Sequence, residues 1–151
     1  MTTFTAEVAW QRGEGSFIDG RYSRGHSWTF DGGATIAASA SPHNVPLPYS
    51  VEENVDPEEA YIAALSSCHM LFYLWIASKK KIGIDSYVDD AVGTMEKVDG
   101  KMMVSRVELR PRVAYSGEVP SRELQEAMHY QAHELCFLAN SVKTVIDIKI
   151  D

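Results

Sequence analysis

The chain has 151 residues, 45% of them hydrophobic and 23% charged, a composition typical of one globular domain over residues 1–151. A formal net charge of −7 at pH 7 argues against nucleic acid or an anionic membrane as partner, because both repel an acidic protein. Only two cysteines and no basic, apolar leader favour a cytoplasmic protein with free thiols over a secreted disulfide scaffold. The longest apolar run, residues 71–77, is too short for a bilayer, which requires ~20 residues.

The first third of the chain is predicted to form strands and then a loop. Residues 4–10 and 26–30 alternate between apolar and polar side chains, which is typical of half-buried strands. Three prolines fall within residues 39–54. Because proline disfavours helix interiors and central strands, this stretch is expected to be an extended loop.

A long helix is predicted to begin at Pro57, a residue that suits the first helical position. Asp56 can cap this helix, and Glu59 stands where a capping box needs an acidic side chain. Lysines 79–81 followed by Gly83 are typical of a helix end. The middle of the helix is apolar on almost every face, so we expect it to be central and buried.

The second half of the chain is predicted to form a hairpin, a helix and a strand. Asp99 and Gly100 are typical of a tight hairpin turn between strands over residues 86–98 and 101–116. A second helix is expected over residues 121–138, and residues 142–150 alternate as a last strand. This order predicts an α+β fold in which two helices pack on antiparallel sheets.

The two cysteines are the strongest candidates for chemistry. Cys68 lies on the apolar stripe of the first helix and Cys136 near the end of the second, and each has polar residues close by in the sequence, Ser66, Ser67 and His69 for the first and His133 and Glu134 for the second. A buried cysteine often acts only as a small apolar side chain, but core filling does not require such neighbours. Peroxide reduction requires a thiolate that becomes a sulfenic acid, a second thiol that condenses with it, a cation and a carboxylate that holds the cation.

Two segments of the sequence resemble the osmotically inducible protein C and organic hydroperoxide resistance family, OsmC/Ohr. Residues 56–69 read DPEEAYIAALSSCH and are similar to the family's Asn-Pro-Glu start, small-residue helix and first cysteine. Residues 132–141 read AHELCFLANS and are similar to its second cysteine motif. The order and spacing of the elements fit the family over nearly the whole chain.

The resemblance implies a fold, an activity and residue roles. It implies an OsmC-like intertwined homodimer with active sites at the subunit interface, which reduces organic hydroperoxides and is restored by a dithiol such as a reduced lipoyl group. No cofactor is implied. Cys68 matches the peroxidatic thiol, Cys136 the resolving thiol, and Glu58 the glutamate that holds an arginine. The family takes that arginine from an early hairpin, where we favour Arg24 and keep Arg21 in reserve.

Two residues depart from the organic hydroperoxide branch of the family. Phe137 follows the second cysteine where proline is usual, and His69 follows the first where phenylalanine is usual. These departures bear on substrate preference more than on the thiol pair. Glu58 and Cys68 would lie ~15 Å apart on a continuous helix, so an arginine, a bend or a second subunit must link them.

Two alternatives use the same residues differently. His129, His133 and Cys136 share one helix face, and with Cys68 and His69 they would suit a Cys/His zinc site. A non-catalytic binding module would instead use aromatic and Met side chains of the first helix as the walls of an apolar pocket. Metal content distinguishes the first alternative from the enzyme, and peroxide turnover distinguishes the second.

Overall fold

The computed structural model describes all 151 residues, which form two compact units, Met1–Ala60 and Tyr61–Asp151. The expectation of a single domain over residues 1–151 stays a prediction. The first unit contains one antiparallel sheet in the order β1-β2-β3, formed by β1 (Ala6–Ala9), β2 (His26–Phe30) and β3 (Thr35–Ala38). The strands predicted over residues 4–10 and 26–30 correspond to β1 and β2. Strand β3 is too short, at four residues, for its alternation to indicate a strand in the sequence.

Helix α1 (Pro57–Lys79) begins where the sequence predicts it. The backbone N–H of Glu59 donates to Asp56 Oδ1 at 2.8 Å, and the backbone N–H of Asp56 donates to Glu59 Oε2 at 3.1 Å. This reciprocal pair of bonds is the predicted capping box, and it satisfies N–H groups that a helix start leaves free.

Five strands of the second unit form two sheets. Strand order in the larger sheet is β5-β6-β8, with β5 and β6 antiparallel and β6 and β8 parallel, while β4 and β7 form an antiparallel pair. The predicted turn joins β5 to β6, with φ values of 49° at Asp99 and 78° at Gly100. The strands are β4 (Gly83–Asp89), β5 (Val92–Val98), β6 (Lys101–Leu109), β7 (Pro111–Ser116) and β8 (Val145–Ile148).

The prediction of two unbroken strands over residues 86–98 and 101–116 is wrong. Each is interrupted, the first after Asp89 and the second at Arg110. The Asp89 carboxylate accepts hydrogen bonds from the backbone N–H of Arg110 at 2.6 Å and from the hydroxyl of Ser66 on α1. Pro111 has no N–H that could donate a hydrogen bond to a neighbouring strand. The hairpin therefore divides between two sheets at this carboxylate.

Helix α2 (Arg122–Leu135) is shorter than the predicted 121–138. The Ser121 hydroxyl caps it by accepting the Leu124 N–H at 3.2 Å. At the other end, the Cys136 N–H still donates to Ala132, but the residue itself has an extended conformation with ψ of 113°. Cys136 therefore stands just beyond the helix. A short 3-10 helix, Ala139–Ser141, follows.

The core of the second unit lies on one side of α1 only. Leu65, Tyr73 and Ile76 are buried, whereas Leu71 is 59% and Trp75 52% exposed. The expectation of a helix buried on all faces is therefore wrong for this chain by itself. By length and composition α1 could cross a membrane, but the core helices of globular proteins meet the same criterion, and the buried side of α1 is such a core face.

Candidate functional site

The structure brings the two cysteines together. Cys68 comes from the middle of α1, and Cys136 follows the last turn of α2. The two thiols are neighbours, because the Cys68 thiol affects the ionisation of Cys136, and neither cysteine is in a disulfide. Cys136 is only 1% exposed, while Cys68 is half-buried. An incoming molecule therefore reaches Cys68 first.

Burial raises the pKa of the Cys136 thiol to about 11, and the neighbouring Cys68 thiol acts in the same direction. The backbone N–H of Ala139, 3.4 Å from Cys136 Sγ, opposes the shift only weakly. Cys136 is thus a protonated thiol near neutral pH.

An apolar cleft of about 710 Å³ opens at Cys68. Part of its wall is the exposed face of α1, and the other part follows α2, where Phe137 packs edge-on against Phe72 with ring centroids 5.0 Å apart. Such a cleft favours an apolar molecule over a small polar one. The lining residues are Ala64, Ser67, Cys68, Leu71, Phe72, Trp75, Leu135, Phe137 and Leu138.

Arg24 lies in the first unit, where one edge of its guanidinium is anchored. Nη1 donates to the carbonyl oxygens of Gly20 at 2.8 Å and Tyr22 at 2.5 Å, which uses both of its hydrogens. The guanidinium carbon lies 3.6 Å from the centroid of the Tyr22 ring, a cation–π contact. Nε and Nη2 form no hydrogen bond to the protein and remain available to an anion.

Glu58, the candidate partner of Arg24, is half-buried in the first turn of α1. Oε1 accepts from the side-chain amide of Asn44 at 3.3 Å, while Oε2 is buried without a hydrogen-bond partner. The chain contains no Arg24–Glu58 salt bridge. A buried carboxylate oxygen without a donor is costly, so Glu58 retains the capacity to bind a cation.

Arg21, the reserve candidate, is on the surface. Its Nη2 pairs with Asp19 at 3.1 Å, and the two side chains are 64% and 56% exposed. An ion pair this exposed contributes little to stability. Of the two arginines, Arg24 is the one whose cationic group is held in place with an edge left free.

A buried histidine pair is a feature that sequence reasoning missed. His69 Nε2 and His129 Nδ1 are 3.0 Å apart, and the two rings are parallel. The Tyr73 ring stacks on His129 with centroids 4.0 Å apart. Burial lowers the pKa of His129 to about 4; burial, then repulsion from His129 and His133, lowers that of His69 to about 3. Both rings are neutral at pH 7.

The structure gives the zinc alternative no support. No group of three or more His, Cys, Asp or Glu side chains is placed to hold a metal ion. His129, one of the proposed ligands, is bonded to His69 through Nδ1 in the core. Although His129, His133 and Cys136 share one face of the helix, their side chains therefore do not form a metal site.

Sequence and structure comparisons place the chain among OsmC-like proteins. The model of a family described as OsmC-like protein matches residues 51–151. An OsmC-like protein of unknown function from Vibrio cholerae is 52% identical, each chain covers 100% of the other, and the TM-score is 0.97. A search of curated proteins finds no match.

More distant solved structures share the fold. An organic hydroperoxide resistance protein from Elizabethkingia anophelis is 17% identical with a TM-score of 0.72, over 99% of this chain and 94% of the other. The organic hydroperoxide resistance protein OhrB of Bacillus subtilis is 20% identical with a TM-score of 0.63, over 98% and 97%. At these identities the similarity establishes the α+β fold with two helices and antiparallel sheets.

Proposed function

Because the chain belongs to the OsmC-like protein family, we propose that it is a cytoplasmic cysteine-based peroxidase that reduces organic hydroperoxides and protects against oxidative stress. Cys68 is the peroxidatic thiol and Cys136 the resolving thiol. The observation that supports this most is the neighbouring position of the two thiols, with Cys68 in the wall of the apolar cleft. The names of the distant structural relatives, which are hydroperoxide resistance proteins, point to the same chemistry.

The proposed reaction proceeds in two steps before reduction. The Cys68 thiolate attacks the terminal oxygen of the hydroperoxide, the O–O bond breaks, Cys68 becomes a sulfenic acid, and the alkoxide takes a proton and leaves as an alcohol. The Cys136 sulfur then attacks the Cys68 sulfur, so that a disulfide forms and water leaves with the sulfenic oxygen and the Cys136 proton. A dithiol, such as a reduced lipoyl group, reduces this disulfide and is itself oxidised.

The raised pKa of Cys136 suits the resolving role. A protonated thiol does not compete with Cys68 for the peroxide, because the thiolate is the nucleophile. The proximity of the two thiols favours condensation without a large movement of the backbone. Rapid condensation protects Cys68 from oxidation to the sulfinic acid, which is irreversible without a dedicated enzyme.

Arg24 and Glu58 complete the proposed active site. Arg24 stabilises the Cys68 thiolate and the departing oxygen, and Glu58 orients Arg24. Two observations support this assignment. The guanidinium has N–H donors without an acceptor, and Glu58 Oε2 is an acceptor without a donor. A planar guanidinium can meet a carboxylate through two parallel hydrogen bonds.

Homodimerisation is part of the proposal, with active sites at the subunit interface. An exposed apolar patch supports it: Leu71 and Trp75 on α1 are 59% and 52% exposed, and Phe137, just after α2, is 72% exposed. A contiguous apolar patch of this kind marks an interaction or ligand site. The proposed partners are therefore a second copy of the chain, an organic hydroperoxide and a dithiol, with no role for nucleic acid, a membrane or a cofactor.

A steady-state assay tests the proposed function directly. With a lipoyl dithiol as reductant, the protein should consume tert-butyl or cumene hydroperoxide with a higher kcat/KM than hydrogen peroxide, because the cleft is apolar. A binding module that uses the same cleft would bind the alkyl compound without turnover. Saturable binding with no loss of hydroperoxide would therefore favour the binding module over the enzyme.

Replacement of the resolving thiol should separate the two steps. In Cys136→Ser, one equivalent of alkyl hydroperoxide should still convert Cys68 to a sulfenic acid, which a dimedone probe labels, and excess peroxide should drive it to the sulfinic acid. Wild type should form a Cys68–Cys136 disulfide within one chain instead. Intact mass and peptide mapping distinguish these products. A wild-type disulfide found only between chains would exclude the assigned role of Cys136.

Loss of the cation should slow thiol chemistry at Cys68. Arg24→Met should shift the pH dependence of Cys68 alkylation to higher pH and lower kcat/KM by about tenfold or more, since each tenfold corresponds to ~1.4 kcal/mol. Glu58→Ala should have a smaller effect, because it removes only the orienting carboxylate, along with an acidic residue at the helix start. Arg21→Met is the matched control. If the pH dependence of Cys68 alkylation shifts in Arg21→Met but not in Arg24→Met, then Arg21 and not Arg24 is the activating cation.

A further inference from the structure

His26 makes two hydrogen bonds that together fix its ring. Trp28 Nε1 donates to His26 Nε2 at 3.1 Å, and His26 Nδ1 lies 2.7 Å from the carbonyl oxygen of Arg24. The indole N–H can only donate, so Nε2 must be the accepting nitrogen. In the neutral ring the hydrogen then resides on Nδ1, which donates it to the Arg24 carbonyl. Trp28 thus selects the tautomer of His26 that can bind Arg24.

The backbone of Arg24 is consequently held at both ends. Its N–H donates to the carbonyl oxygen of Tyr49 at 2.9 Å, and its carbonyl accepts from His26. The side chain is held separately by the carbonyls of Gly20 and Tyr22. His26 supplies the one hydrogen bond to Arg24 that comes from a side chain.

Arg24 and His26 also line the same cavity of about 410 Å³ in the first unit, together with Trp10, Phe17 and Tyr22. The three aromatic rings pack against each other with centroids 4.8 to 5.8 Å apart. This packing gives the guanidinium a rigid wall on the Tyr22 side, while its free edge, Nε and Nη2, binds nothing in the chain. A rotation of the Arg24 peptide would therefore redirect that edge.

We propose that His26, in the tautomer set by Trp28, is a positioning residue that orients Arg24 through its backbone carbonyl. The inference rests on the proposed function, because it assigns His26 a role in a reaction that uses Arg24. His26 touches neither a thiol nor a reacting atom in this account. Its effect passes entirely through the guanidinium.

Three substitutions at one position test the proposal. His26→Leu removes both bonds, His26→Asn keeps an amide donor at the position of Nδ1, and His26→Gln places its amide one bond further, near the position of Nε2. The readouts are the rate of Cys68 alkylation, kcat/KM for tert-butyl hydroperoxide and the thermal midpoint. In His26→Leu and His26→Gln we expect the alkylation rate and kcat/KM each to fall about tenfold. In His26→Asn both should stay within about threefold of wild type.

A double-mutant cycle separates positioning from a merely structural role. If His26 acts through Arg24, His26→Leu should add nothing to the loss in Arg24→Met. Additive losses, or Asn no better than Gln, would overturn the proposal while leaving the proposed function standing. No effect of Arg24→Met by itself would overturn both the role of His26 and the assignment of Arg24, and would leave the roles of Cys68 and Cys136 standing. Should the Leu variant fail to fold, the comparison of Asn with Gln decides the question.

Discussion

Cys68→Ser should abolish hydroperoxide reduction and leave the fold intact. A serine hydroxyl is a far poorer nucleophile than a thiolate at neutral pH and cannot form a sulfenic acid. We therefore expect kcat/KM to fall by at least ~1,000-fold, the range found when an essential nucleophile is removed. Cys68 is half-buried, on the cleft side of α1, and serine is nearly isosteric. The thermal midpoint and circular dichroism spectrum should therefore change little.

The control for this substitution lies on the same helix. Ser78 is exposed near the end of α1 and makes no side-chain hydrogen bond in the structure. Ser78→Ala should retain wild-type activity. Near wild-type peroxidase activity in Cys68→Ser would exclude Cys68 as the reacting thiol and with it the proposed mechanism.

The second large effect concerns acid stability. The pKa values of His69 and His129 are lowered to about 3 and about 4 in the folded protein, whereas an unfolded histidine has a pKa of about 6.5. The unfolded chain therefore binds more protons below pH 6.5, and the folded state loses stability as the pH falls. Between pH 7 and pH 5 we expect the free energy of unfolding to drop by about 2 kcal/mol per histidine.

Urea unfolding at pH 7, 6 and 5 measures this loss. His43 provides the control, because it is exposed in the loop of the first unit. His43→Asn should keep the wild-type pH dependence, whereas His129→Phe should lose about half of it, since only His69 then remains buried and neutral. A wild-type free energy that stays constant from pH 7 to pH 5 would show that the pair accepts protons in the folded state.

Local signals in the sequence predicted the fold where local interactions determine it. The capping box of Asp56 and Glu59 and the turn at Asp99 and Gly100 are fixed by residues a few positions apart, and the structure confirms both. The division of the long hairpin is different, because it depends on Asp89. This carboxylate binds partners 21 and 23 residues away, and no pattern of alternation indicates such contacts.

In the candidate site, too, the sequence predicted what short motifs carry and missed contacts between residues far apart in the chain. Two short motifs predicted that Cys68 and Cys136 would act together, and the structure brings the two thiols near each other. The partner of His129 is His69, 60 positions away. Spacing on α2 reveals only which residues share a helix face, so it suggested a metal site there instead. The tautomer of His26 likewise depends on coordinates, because only they show what each ring nitrogen meets.

An anaerobic titration of the reduced protein shows whether Cys68 and Cys136 together reduce a hydroperoxide. Increasing amounts of tert-butyl hydroperoxide are added without a reductant, and both the alcohol formed and the free thiols remaining are measured. Our account predicts one alcohol and one Cys68–Cys136 disulfide within each chain per hydroperoxide consumed, so that two thiols disappear for each alcohol until the protein is fully oxidised. Full retention of both thiols after a stoichiometric addition, with the hydroperoxide unchanged, would contradict it.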